Sequence, residues 1–269
     1  MKIWFITGTS RGFGYEWTKA ALARGDKVAA AARNTQSLKQ LADEYGRNIL
    51  PLTLDVTDRD ADFAAVKRAH EHFGRLDVVV NNAGYGLFGA IEEVSEAEAR
   101  AQFETNVFGA LWVTQAALPY LRAQKSGHIL QISSIGGIAA FYGLGLYHAS
   151  KWALEALSDS LSQEVSQFGI HVTLIEPGGF STDWSGTSAI RAKEIPVYNK
   201  LRGNRPSVRA KKGDPKASAA AILKVVDAAN PPLRLLFGNF ASDYVKELYP
   251  QRLKTWAEWE TVARAADGH

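Results

Sequence analysis

Ile3-Trp4-Phe5-Ile6-Thr7-Gly8-Thr9-Ser10-Arg11-Gly12-Phe13-Gly14 decides the fold. A short apolar run ends at a glycine, and a helical pattern follows over residues 15–24. Strand, glycine turn and helix in that order open a dinucleotide-binding unit. The glycines let the backbone approach a pyrophosphate, and a helix N-terminus favours negative charge. The spacing is Gly-x-x-x-Gly-x-Gly rather than Gly-x-Gly-x-x-Gly, so a flexible loop is the competing reading. The flanking strand and helix weigh against it. Gly8, Ser10, Arg11, Gly12, Phe13 and Gly14 are thus the candidate cofactor turn.

Working outward, residues 27–32 read as a second strand, followed by Arg33 and Asn34. An acidic residue at this strand end would bond the ribose hydroxyls of NAD. Ala32 and Arg33 stand there instead. Arg33 can face a 2′-phosphate, and Arg11 offers a second cation nearby. NADP is expected over NAD. The bland alternative is two solvated arginines.

Strand and helix patterns then alternate. Strands are expected at 49–54, 76–80, 127–132, 170–175 and 233–237, with helices at 35–45, 58–73, 95–125, 147–168 and 217–229. Asp58 suits the cap of its helix, and the 95–125 helix has an expected break near Gly109. Residues 76–80 are nearly all apolar, as a strand buried on both faces requires. That strand ends in Asn81-Asn82-Ala83-Gly84, whose amides can tie the next loop to the sheet. Asn106 falls among apolar residues and needs partners if buried. The pattern implies a single-domain α/β fold over residues 1–269. It is a Rossmann-type doubly wound parallel sheet of about seven strands with helices on both faces. Residues 180–213 lack a period and carry eight Lys or Arg. We read them as a mobile cover over the substrate. Residues 239–266 form a helical extension, amphipathic around Tyr244, Leu248, Leu253, Trp256 and Trp259, with the two tryptophans either exposed or core.

Composition excludes several classes. The 269 residues hold no cysteine, so there is no disulfide framework or thiolate metal site. A net charge of +3 makes no case for nucleic acid. The N-terminal apolar run is too short for a membrane span. A cytoplasmic location is expected.

The chemistry centres on Tyr147-His148-Ala149-Ser150-Lys151. Tyr147 and Lys151 share a helix face one turn apart. An ammonium near a phenol favours the phenolate and lowers the tyrosine pKa. A lone pair of this kind is more often a packed tyrosine beside a solvated lysine. His148 points to another helix face and reads as structural or surface.

Together these residues resemble the short-chain dehydrogenase/reductase family. The matching features are Thr7-Gly-x-x-x-Gly-x-Gly14, Asn81-Asn-Ala-Gly84, Asn106, Ser134, Tyr147-x-x-x-Lys151 and Pro177-Gly178, in the family's order across nearly the whole chain. The resemblance implies roles. Tyr147 is the general acid or base, and Lys151 lowers its pKa and bonds the nicotinamide ribose. Ser134 polarises the carbonyl, and Asn106 holds a water linked to Lys151. Gly8, Gly12 and Gly14 line the pyrophosphate. Asp55 and Val56 sit at the adenine, with Asn82, Ala83 and Gly84 near the adenosine ribose. Pro177 and Gly178 flank the nicotinamide, and Thr182 meets its amide or the phosphate. No metal is implied. Homodimers or homotetramers are common in the family.

The substrate pocket is expected from Tyr85, Phe88, Phe141, Tyr142, Leu144 and Trp184, mostly apolar and aromatic. An apolar ketone, aldehyde or secondary alcohol therefore suits it better than a sugar or an acid. The expected function is NADP(H)-dependent carbonyl reduction. The alternative is a catalytically silent NADP(H) sensor, which has no need of Ser134, Tyr147 and Lys151 together.

Overall fold

Alternation along the first strand explains the layering. The computed structural model describes residues 1–203 and 212–268. In β1 (Ile3–Thr7), Ile3 and Phe5 face one hydrophobic core while Trp4 and Ile6 face another. A strand with apolar side chains on both faces must be covered on both, which a parallel sheet with flanking helices provides.

Seven parallel strands form that sheet: β1, β2 (Lys27–Ala32), β3 (Ile49–Thr53), β4 (Val78–Asn81), β6 (Gly127–Ile132), β7 (Ile170–Pro177) and β9 (Arg234–Phe237), in the order β3-β2-β1-β4-β6-β7-β9. The doubly wound sheet expected from the sequence is therefore present. The core on one face comes from α3 (Arg59–Phe73) and α5 (Ala110–Gln124). On the other it comes from α1 (Gly12–Ala23), α2 (Lys39–Tyr45) and α8 (Ser218–Asp227). The chain reverses direction across the sheet between β1 and β4, so a crevice opens at the strands' carboxyl ends there.

Local chemistry sets the boundaries. Asp58 caps α3, its Oδ1 accepting from the Ala61 amide at 3.0 Å. The long helical region pauses at residues Glu104–Gly109, a wider π-type turn between α4 (Glu96–Phe103) and α5. At Gly109 a Cβ would lie 2.7 Å from Val56, so only glycine lets this turn sit against the loop after β3. A two-residue strand β5 (Leu87–Phe88) pairs with β8 (Ile190–Arg191), fastening the expected cover to the body. Part of that cover, residues 204–211, lies outside the described residues.

After β9, α9 (Asn239–Glu258) packs its first turns against Ile135, Ile138 and Ala139, while Leu253, Trp256 and Trp259 stay exposed. The two tryptophans are not core: past Leu248 the helix still meets the body through Arg252, which donates to the Ile138 carbonyl at 2.8 Å, but Trp256 and Trp259 face solvent.

Candidate active site

Glycine geometry shapes the turn after β1. Gly8 has φ +68°, and a Cβ there would lie 2.9 Å from the Ala83 Cα. A Cβ on Gly14 would lie 2.4 Å from the Gly8 carbonyl oxygen. Both positions demand glycine, the first by conformation and the second by close approach. Asn82 locks the turn to the β4 end, donating from Nδ2 to the carbonyls of Thr7 at 2.9 Å and Gly8 at 3.0 Å. Thr7 Oγ1 in turn accepts from the amides of Asn82 and Ala83, both at 3.0 Å. Thr7 entered the sequence reading only as the start of the glycine motif, with no role assigned, although its place at the strand end is the signal. Asn81 ties the sheet to α5, donating to Thr114 Oγ1 at 2.9 Å and Gln131 Oε1 at 3.0 Å.

The residues of this turn fit a dinucleotide pyrophosphate. The cradle has no room for side chains at Gly8 and Gly14. The first turn of α1 carries no acidic residue, so its free amides face no competing charge. Thr182 approaches this turn from the far side, its Cγ2 lying 3.7 Å from the Cβ position of Gly12.

At the end of β2, Arg33 is exposed and has no ion pair or hydrogen bond among the described residues. Arg11 differs from expectation. Its Nη1 lies 2.9 Å from Asp183 Oδ2, so the second cation is already engaged by the segment following Thr182. Asp183 also accepts from the Thr187 amide and from the hydroxyls of Thr187 and Ser188. It was missed because its partner is distant in sequence. Asp55 is exposed, and Val56 is buried against Gly109.

The catalytic candidates converge at the amino end of α6 (Gly145–Val165). Tyr147 is 6 % exposed. The Ser134 hydroxyl hydrogen-bonds its phenol and also accepts from the Gly136 amide at 3.0 Å, which fixes its direction. Lys151, also buried, donates from Nζ to the Ile132 carbonyl at 2.7 Å and lies 5.9 Å from the Tyr147 ring centre. Asn106 sits in the π-type turn. Its Nδ2 donates to the Tyr85 carbonyl and to Ser150 Oγ, both at 3.1 Å, and its Oδ1 accepts from the Tyr85 amide. Gly84 borders both groups: its Cβ position lies 3.1 Å from Asn106 Oδ1 and 3.6 Å from Lys151 Nζ.

The electrostatics reverse one expectation. Burial pushes the Tyr147 phenol up to about 12, and the Ser134 hydrogen bond only partly opposes this. Burial also lowers Lys151 to about 8, against the attraction of Glu155. Removal of the phenol from water outweighs the opposing Ser134 hydrogen bond. Tyr147 is consequently a protonated donor at neutral pH.

Above the phenol, Trp184 lies 4.9 Å from the Tyr147 ring and 5.2 Å from Phe88, centre to centre. A Cβ on Gly86 would fall 2.6 Å from the Trp184 ring, so this glycine makes the recess that seats the indole. Leu144 bridges to Gly89. Phe141 points elsewhere, into an aromatic cluster with Tyr244 at 5.2 Å and His148 at 5.5 Å. His148 is buried and structural, its Nδ1 accepting from the Phe141 amide at 3.2 Å. Tyr142 is exposed. Pro177 and Gly178 close β7, with the Gly178 amide bonded to Phe237 O at 2.9 Å.

Among the described residues, no group of three His, Cys, Asp or Glu is placed to hold a metal, and no helix is long and apolar enough to cross a membrane.

Known proteins share this chain's sequence and fold. A family model for short chain dehydrogenases covers residues 2–192. An oxidoreductase of Botryotinia fuckeliana, BOA17, is 45 % identical over 271 aligned residues, spanning 98 % of this chain and 99 % of the relative. A short-chain dehydrogenase from Streptomyces avermitilis superposes with a TM-score of 0.92 at 40 % identity, covering 98 % of both chains. An alcohol dehydrogenase from Thermococcus sibiricus, solved with 5-hydroxy-NADP, superposes with a TM-score of 0.75 at 26 % identity, covering 88 % of this chain and 96 % of that one.

Proposed function

We propose, for a chain that belongs to the short-chain dehydrogenase family and is an oxidoreductase of it, an NADP(H)-dependent reduction of apolar or aromatic ketones and aldehydes. The observation that carries this reading is a buried, protonated Tyr147 hydrogen-bonded by Ser134 beside the Lys151 ammonium. That set is a proton donor beside the Trp184 and Phe88 rings, and a proton donor in apolar surroundings is what carbonyl reduction asks of a protein.

The cofactor supplies hydride to the carbonyl carbon when bound. Gly8, Gly12, Gly14 and the α1 amides would hold its pyrophosphate, with Thr182 alongside. Arg33, unpaired among the described residues, supports NADP over NAD, because a guanidinium can pair bidentately with a 2′-phosphate. The Thermococcus sibiricus relative's NADP analogue supports the same choice.

The chain's own residues handle charge and proton. As hydride arrives, negative charge grows on the carbonyl oxygen. Ser134 and Tyr147 hydroxyls aimed at that oxygen stabilise it in the transition state. Tyr147 gives up its proton, and the Lys151 ammonium steadies the phenolate left behind. Asn106 holds the loop at Tyr85 in place through two hydrogen bonds and ties it to Ser150 on α6 through a third. Trp184 and Phe88 exclude water and favour flat, apolar substrates. We read the 180–213 segment as the substrate cover. Its support is the β5–β8 pairing and Glu93, which accepts from the Ile195 amide at 2.7 Å and from Arg202 at 2.6 Å.

The test is titration of the purified protein with NADPH and NADH, followed by reduced-nicotinamide absorbance against a panel of aromatic and alicyclic ketones. Preferential NADPH binding with consumption by a panel ketone is expected. Tight binding without turnover across the panel would turn the reading toward a silent sensor.

A further inference from the structure

One helical turn beyond Lys151, α6 carries a second buried acid. Tyr147, Lys151 and Glu155 follow one another at four-residue spacing on the buried stripe of α6. Glu155 is 5 % exposed, and Glu176 on the adjoining β7 is 1 % exposed. Both carboxyl groups close on the same guanidinium nitrogen, Arg234 Nε, at 3.0 Å and 3.9 Å. Two carboxylates buried this close repel each other when both are ionised, which favours a proton on one member of the pair.

The surroundings point the same way. Taken as ionised acceptors, Glu155 Oε1 and Glu176 Oε1 both lack a donor among the described residues, and the buried Ser133 Oγ has no partner among them either. Arg234 on β9 is the cation facing the pair. Its Nε donates to Glu155 Oε2 at 3.0 Å and stands 3.9 Å from Glu176 Oε1, while its Nη2 turns outward to Asp159 at 2.9 Å. One guanidinium thus faces three carboxyl groups. The strand end at Ser133 and the turn at Gly137 add no charge. A Cβ on Gly137 would fall 2.4 Å from Ser133 Oγ and 3.1 Å from Glu155 Oε1, so glycine keeps this nook open. The charged groups around the pair are therefore Lys151 and Asp159 on α6 itself and Arg234 on β9.

We propose that Glu155 and Glu176 hold a single proton between them and act as positioning residues that set the charge of Lys151. When the proton sits on Glu176, Glu155 is ionised one turn from the ammonium and supports it. When the proton moves to Glu155, that support is withdrawn. Lys151 feels burial in one direction and Glu155 in the other, so the proton's place decides the balance. The like-charged neighbour and burial together hold Glu176 well above the ordinary carboxylate range. Arg234 opposes the proton on Glu176, and its outer nitrogen is shared with Asp159.

The inference rests on Lys151 acting beneath Tyr147, yet its test needs no turnover. Carbon-13 NMR of the whole chain labelled at lysine Cε follows the Lys151 titration, with Lys151→Met assigning the signal. The midpoint is expected near pH 8 in the unaltered protein. Glu155→Gln moves the remaining charge away to Glu176 and should lower the midpoint by about one pH unit. Glu176→Gln confines the charge to Glu155 and should raise it. A merely structural role would not give opposite shifts. In the unaltered protein, carbon-13 at glutamate Cδ should show one buried carboxyl titrating far above its fellows. Midpoints that move together or not at all, or glutamates that all titrate in the ordinary acid range, would overturn the proposal. Opposite shifts in a protein that turns over no ketone would leave it standing and sink the reductase reading instead.

Discussion

Tyr147 and Lys151 are each 6 % exposed and fully engaged by neighbours, whereas Arg33 stands in solvent without a partner among the described residues. The two ends of the candidate site are thus built differently. At the Tyr147 end, burial moves a phenol and an ammonium far from their ordinary ranges. At the Arg33 end, water screens the charges. The difference teaches where each kind of selectivity resides. Low dielectric amplifies a proton donor, so the buried end governs rate. Screened charge gives small energies, so on the proposed reading the exposed end sorts cofactors.

Tyr147→Phe tests the buried end most severely. We expect kcat to fall by about 10³-fold or more, with NADPH binding nearly unchanged by fluorescence titration. Weakened binding as its sole defect would break the comparison. Ser134→Ala should lower kcat by about 10²-fold. The Ser134 hydrogen bond holds the Tyr147 pKa down, so its loss raises that pKa. The alkaline limb of ketone reduction should then move to higher pH. A limb that moves to lower pH would contradict the assigned hydrogen bond.

Trp184→Ala lies between the two ends. Opening the recess over Tyr147 should raise kcat/KM for bulky ketones roughly tenfold over small ones. No change in that ratio would remove Trp184 from the substrate chamber. Arg33→Ala should reduce the NADPH-to-NADH ratio in kcat/KM by about tenfold, and less at high salt. Equal losses for both cofactors would erase the argument for the 2′-phosphate.

The smallest effect is on stability, beside the expected adenine position. Asp62 on α3 is fully buried, neither carboxyl oxygen has a partner, and burial with Asp58 and Asp55 nearby pushes its pKa up to about 8. The folded state therefore holds this proton more tightly than the unfolded chain, whose aspartate titrates near about 4. Its contribution to stability is full below that lower value and is lost as pH rises toward 8. Asp62→Asn should unfold at a higher temperature than the unaltered protein at pH 8, with the gap shrinking at pH 5. A gap that widens at pH 5 would show that Asp62 is ionised in the fold.

Much of this was legible before any coordinates. The all-apolar strands, the glycine spacing after β1, the Asp58 cap and the pause near Gly109 are local signals, and each appears where local chemistry put it. The pairing of Tyr147 with Lys151 on one face is likewise set by helical spacing. Four outcomes were not legible. Arg11 is held by Asp183, Phe141 turns toward α9, Trp256 and Trp259 stay exposed, and Tyr147 is raised rather than lowered.

The sequence by itself determined the order of strands and helices, the glycine cradle and the set of polar residues at the strand ends. Those follow from backbone sterics and from periodicities of two and 3.6 residues, which act over short stretches. Only the tertiary structure decided which charges meet and how far water is excluded from them. Glu155, Glu176 and Arg234 come together because β7 and β9 lie side by side against α6. Desolvation depends on everything packed around a group, so the sign of a pKa shift belongs to the fold.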